Sequence, residues 1–119
     1  MTHRERVLSA LSHREPDRVP IDFGGTIDTS ISVGGYERLK RQYGIEAENR
    51  ISSMMMQVVD IDEGILKELD IDTRAVFSGS PAVTFIEKNR YIDEWGRELV
   101  MRPGTSWFDQ LRFPLQGDI

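Results

Sequence analysis

Chemistry in this chain begins with a few polar and glycine-rich clusters. Gly24-Gly25 lacks Cβ atoms, so it either lets backbone amides approach a ligand closely or simply makes a tight turn. Asp28 follows in a Ser/Thr-rich loop, Thr26 to Gly34, where a carboxylate either binds substrate or is solvated. Asp60, Asp62 and Glu63 have the composition of a loose metal site, but acids at a helix N-terminus are already expected from the macrodipole. His3 and His13 lie near an N-terminal helix without another ligand type at metal spacing, so no metal site is expected. Trp95, Trp107 and Phe108 suit a lid, a dimer contact or the packing of a small sheet. Met54-Met55-Met56 suits packing.

The elements that must position these residues follow from pattern. Thr2-His3-Arg4-Glu5 is a capping box opening a helix with Val7, Leu8 and Leu11 on one face. Pro16 and Pro20 stop it. Val19 to Phe23 reads as a short strand. Gly35 to Tyr43 reads as a helix with Tyr36, Leu39 and Tyr43 at helical spacing and Gly44 as its stop. Residues 46–57 fit no single pattern. Asp60 or Asp62 caps a helix presenting Ile61, Ile65 and Leu69, in which Gly64 costs about 1 kcal/mol relative to alanine. Thr73 to Phe77 reads as a second strand, closed by Ser78-Gly79-Ser80-Pro81.

Beyond Pro81 the pattern changes to an antiparallel meander. Its strands are expected at 83–86, 91–93, 97–102 and 106–113, with a turn at Asp93-Glu94-Trp95-Gly96. Residues 1–81 therefore read as helix-strand-helix-helix-strand and residues 82–113 as a β insertion, within one partial α/β domain. The run Pro114 to Ile119 brings no closing helix, and the sequence reads as cut.

Composition narrows the function. The 119 residues carry a net charge of −5, which argues against a nucleic-acid surface and against a strongly anionic substrate. There is no cysteine, so no disulfide, thiolate zinc site or cysteine nucleophile lies within the chain. No apolar run is long enough for a membrane span, and no signal peptide opens the chain, so a cytoplasmic protein is expected.

Arg4-Glu5-Arg6-Val7-Leu8, continuing through Ala10-Leu11 to Pro16-Asp17-Arg18-Val19-Pro20, resembles the opening of uroporphyrinogen-decarboxylase-superfamily proteins. So do Asp60-Ile61-Asp62 leading a helix and Leu69-Asp70-Ile71-Asp72 leading a strand. Tyr91-Ile92-Asp93-Glu94-Trp95-Gly96 resembles a hairpin of that superfamily's methyltransferase-like branch. The resemblance implies a (β/α)8 (TIM-type) barrel of which this chain is the N-terminal part, because a full barrel takes about 250 residues. It also implies that the chain alone lacks most of what catalysis needs.

Two activities come with the resemblance. Uroporphyrinogen decarboxylases, lyases of porphyrin biosynthesis, remove acetate carboxyls without a cofactor. The related methyltransferases move methyl groups between corrinoid proteins and thiols or other acceptors, commonly with zinc held by His and Cys. Chemistry in such barrels sits at the C-terminal ends of the strands. The implied substrate-pocket candidates are therefore Asp22, Gly24, Gly25, Thr26 and Asp28 after the first strand, and Ser78 and Gly79 after the second. No catalytic residue is assigned.

The sequence departs from the decarboxylases twice. They follow the first strand with arginines, whose planar forks pair with the substrate's many carboxylates. Here that stretch is Gly24-Gly25-Thr26-Ile27-Asp28-Thr29. They also place an aspartate after Phe-Ser, where Phe77-Ser78 is followed by Gly79. The expectation is a methyltransferase-type or related small-substrate parent, with zinc and a corrinoid partner supplied outside this chain and none bound within it. A true uroporphyrinogen decarboxylase and a non-catalytic α+β interaction module are the alternatives. The partners expected are a small-molecule substrate and either a second copy or the remaining barrel, with neither nucleic acid nor membrane.

Overall fold

In the computed structural model the Thr2 hydroxyl accepts the Glu5 amide hydrogen, and the Glu5 carboxylate accepts the Thr2 amide hydrogen at 2.8 Å. This reciprocal cap starts α1, His3–Leu11. The structure describes residues 1–77, 79, 82–112, 115 and 117. A 3₁₀ turn, Ile27–Thr29, precedes α2, Val33–Tyr43. Gly44 ends α2 in the left-handed conformation, φ 64°, as its position predicts.

The ambiguous residues 46–57 supply the first strand and the turn of a hairpin. β1, Arg50–Ser53, pairs antiparallel with β2, Val58–Asp60, across a turn of Met54 to Gln57. Asp62 then caps α3, Glu63–Glu68, by accepting the Gly64 amide hydrogen at 2.7 Å. β3 (Val83–Glu87), β4 (Arg90–Asp93), β5 (Glu98–Met101) and β6 (Phe108–Arg112) make one antiparallel sheet in sequence order, the expected meander. Phe113, the expected end of its last strand, lies outside the described residues, as do Ser80 and Pro81.

The fold is α+β, and the barrel start expected from the sequence is not what forms. Among the described residues its sheets are an antiparallel pair and an antiparallel meander, without alternating β/α units. Neither Val19 to Phe23 nor Thr73 to Phe77 is a strand. Just before the second segment, the Asp72 amide donates to the Ile21 carbonyl of the first at 2.9 Å. A parallel ladder does not extend from it for a local reason. The Ile21 amide, which would donate on the same edge, is taken by the Asp72 carboxylate at 2.8 Å.

Apolar burial is divided between two clusters. Tyr36, Val59, Ile61, Ile65, Leu66 and Ile71 close the first, with Leu39 and Leu69 packed against it. Tyr91, Leu99 and Phe108 close the second, where the Tyr91 and Phe108 rings meet edge-on at 4.8 Å. Met54 packs on the second cluster, and the Phe108 amide donates to the Met55 carbonyl at 2.8 Å, so the hairpin turn ties the two sheets. On the apolar face of α1, Leu8 and Leu11 are exposed, and Arg6 and Ser9 are the buried residues of that helix. The radius of gyration is 17.9 Å, against roughly 13.5 Å for a compact domain of this length. No helix among the described residues is long and apolar enough to cross a membrane.

Candidate functional site

The loop after the first extended segment is closed on itself. Asp22 accepts the Gly25 amide hydrogen at 3.0 Å and the Thr73 hydroxyl. The Gly24 amide donates to the Thr29 carbonyl at 2.9 Å, and the Thr26 amide to the Thr29 hydroxyl at 3.1 Å. Gly24 has φ 78°, and a Cβ there would stand 2.5 Å from Ile61 Cγ1. A Cβ on Gly25 would collide with the Asp22 carboxylate. The glycine pair thus makes a tight turn packed on the first core cluster. Burial raises the Asp22 pKa, but hydrogen bonds from Thr73, Thr29 and the Gly25 amide outweigh it and hold the carboxyl below its ordinary value. Thr26 and Asp28 are exposed.

Gly79 lies elsewhere, and Ser78 is outside the described residues. Gly79, with φ 126°, lines two neighbouring grooves. The larger, about 480 Å³, lies between the β1–β2 hairpin and the meander and is also lined by Ile27, Ser52, Tyr91, Asp93 and Arg97. The smaller, about 380 Å³, includes Arg50, Asp60 and Phe77. Asp22, Gly24, Gly25, Thr26 and Asp28 line neither, so the candidates of the two segments do not share one mouth; their loop reaches the larger groove only through Ile27.

The groove's polar groups are mostly engaged. Asp93 holds Arg97 Nε at 2.7 Å and accepts the Trp95 and Arg97 amide hydrogens at 3.0 and 2.9 Å, which fixes the β4–β5 turn. Burial sets the Asp93 carboxyl upward, and these hydrogen bonds, led by Arg97, bring it below its usual value. The Ser52 hydroxyl donates to the Val58 carbonyl at 3.2 Å. Burial, with Asp93 nearby, pushes the Tyr91 phenol up.

The most heavily bonded carboxylate is Asp72, whose side chain is fully buried. It accepts from Arg6 Nη1 at 2.5 Å, Arg18 Nη1 at 2.6 Å and the Ile21 amide at 2.8 Å, and pairs with His3 Nδ1 at 2.7 Å. Arg6 also forks onto Asp17 at 2.7 and 2.9 Å, and Arg18 reaches Asp70 at 2.7 Å. Burial alone would raise the Asp72 pKa. The Ile21 amide, His3, Arg6 and Arg18 outweigh it and hold the carboxyl well below the ordinary range. The Arg6 hydrogen bond does the same for Asp17.

No protein-family model, curated protein or solved structure matches the chain.

Sequence reasoning did not single out this cluster as a site. Its members were visible only as motif residues, Arg6, Asp17 and Arg18 in one segment and Asp70 and Asp72 in another, with nothing local to say that they meet. With its lone pairs committed to donors on several sides, Asp72 is built to position backbone and not to exchange protons. Among the described residues no group of three or more His, Asp or Glu side chains is arranged for a metal ion. The His3 nitrogens face Asp72 at 2.7 Å and Asp70 at 3.5 Å, and Arg6 and Arg18 occupy the same carboxylates.

Proposed function

We propose that this chain is the N-terminal portion of a protein related to the uroporphyrinogen-decarboxylase superfamily, on its methyltransferase-like side. In this reading it supplies scaffold and one wall of a small-substrate pocket and does not carry the catalysis alone. The reading rests on sequence resemblance alone, and the barrel start that the same resemblance implies does not form. The observation that carries it is convergence. Two of the segments that resemble that superfamily, 4–20 and 69–72, meet at the carboxylates of Asp70 and Asp72.

Charge favours a small acceptor over uroporphyrinogen. An octa-anionic tetrapyrrole needs several cations in a partly desolvated site, because each unpaired buried carboxylate costs several kcal/mol in practice. The loop after Phe23 offers Thr26, Asp28 and Thr29. Arg74 is held by Glu63 at 2.8 Å, and Arg38 and Arg41 are exposed on α2. Zinc does not fit the described residues: there is no cysteine, and the His3 nitrogens face carboxylates already held by arginines. A zinc ion and a corrinoid protein, where the reaction uses them, belong to the remainder of the protein. The acidic balance and the absence of an apolar span in the sequence favour a cytoplasmic enzyme that binds neither nucleic acid nor membrane.

The test is an assay of the whole gene product with methylcobalamin and a thiol, and separately with uroporphyrinogen. Thiol-dependent loss of the methyl group is expected. Turnover of uroporphyrinogen to coproporphyrinogen at an enzyme-like rate would overturn the assignment. A second reading, an α+β module that acts by association, is favoured by the two apolar clusters, one built on α2, α3 and the β1–β2 hairpin and the other on the meander.

A further inference from the structure

Residues 1–20 are joined to the body of the chain by charge and not by apolar packing. Among the described residues, no side chain of this segment belongs to either apolar cluster. Leu8 and Leu11 are 42% and 72% exposed, and α1 buries Arg6 and Ser9. The remaining polar bonds of the segment are internal, such as Arg6 to Asp17 and the Ser9 hydroxyl to the Arg14 carbonyl at 3.3 Å. Among the described residues, every hydrogen bond and ion pair that leaves residues 1–20 ends on Asp70 or Asp72.

We infer that residues 1–20 form a detachable arm, a helix and its following strap, clasped to the body at the Asp70–Asp72 corner and opening as one unit before the body unfolds. Apolar burial is the dominant favourable term in folding, and here it is small. The clasp therefore decides whether the arm is docked. Elements held in this way open at free energies below global unfolding. Once released, α1 is too short to remain helical in water, so its amides lose protection when the arm leaves. The carboxylate of Asp72 is the common point: it receives Arg6 and His3 from α1, Arg18 from the strap, and the Ile21 amide at the boundary. Removing its charge loosens all of these together and leaves Arg6 and Arg18 facing each other without their shared anion. The inference does not depend on the family proposed above.

Native-state hydrogen exchange of the full chain, read by mass spectrometry at increasing sub-denaturing urea, tests it. In the unaltered protein the α1 amides are expected to exchange at least about tenfold faster than those of β5, with a weaker dependence on urea. Asp72→Asn is expected to speed α1 exchange by a further factor of about ten and to leave β5 unchanged. Should Asp72→Asn fail to fold, Arg18→Gln replaces it with the same expected direction, and the unaltered protein alone remains decisive. Exchange of α1 only through global unfolding, with the urea dependence of β5, would overturn the inference. So would an equal loss of protection in α1 and β5 on substitution.

Discussion

Arg18 Nη1 lies 2.6 Å from Asp72 Oδ2, and this contact spans 54 positions of sequence. The same carboxylate takes Arg6 from α1 and the Ile21 amide beside Pro20. One aspartate thus sets where the N-terminal segment lies and also occupies the donor that a parallel strand pair at residue 21 would need.

The pH dependence follows from the depressed carboxyls of Asp72 and Asp17. A carboxyl whose native pKa is lowered contributes stability that is fully present above its unfolded value, about 3.9, and is lost as pH falls through the native value. Both native values lie well below the usual range. Docking of α1 is therefore expected to be level across neutral and mildly acid pH and to weaken only in strong acid. Helical circular dichroism together with α1 exchange, followed over a pH series, checks this. Release centred near neutral pH would contradict it.

Gly24→Ala is expected to destabilise the fold by about 1–3 kcal/mol, because the new Cβ meets Ile61 in a backbone conformation that L residues avoid. Gly104→Ala shares the positive φ, at 86°, but meets open space, and should cost only about 1 kcal/mol. Urea denaturation of both variants gives the comparison, and equal costs would remove the role assigned to Ile61.

How far these features can be read from sequence depends on how local their chemistry is. The Thr2/Glu5 box and the Gly44 stop are each decided within a few residues and were legible, and Asp62 was one of the two caps that the sequence left open for α3. The meander was legible because its strands and the Asp93–Arg97 turn follow one another directly. The β1–β2 hairpin was not. Its turn uses Gln57 at φ 54°, where glycine or asparagine would have announced it. Val19 to Phe23 and Thr73 to Phe77 had strand composition, but strand formation needs a partner, and the Asp72 side chain took the amide that pairing required. The exposed face of α1 had apolar periodicity without a surface to meet.

Tyr36 is buried in the first cluster, and its hydroxyl accepts the Asp62 amide hydrogen at 2.8 Å, just where α3 is capped. Tyr36→Phe keeps the ring and leaves that amide without its acceptor. A loss of about 1–2 kcal/mol is expected in urea denaturation, with α3 amides exchanging faster. A neutral substitution would mean that the hydroxyl is dispensable.

Leu99 is fully buried with Tyr91 and Phe108 in the meander's own cluster. Leu99→Ala should cost about 2–5 kcal/mol, the range for a core leucine. Near-ultraviolet circular dichroism should show the meander aromatics losing their fixed environment.

The proposal that this chain works as part of a larger protein rests physically on its open shape and on apolar side chains left bare. Val19 and Val76, on the two extended segments, are 79% and 96% exposed, and the radius of gyration exceeds that of a compact domain. Sedimentation velocity of the 119-residue chain over a concentration series, paired with thermal melting, tests this most directly. The account predicts concentration-dependent association and a broad transition, because exposed apolar surface seeks cover. A monomer at all concentrations with one sharp, two-state melt would contradict it and favour the self-sufficient α+β module.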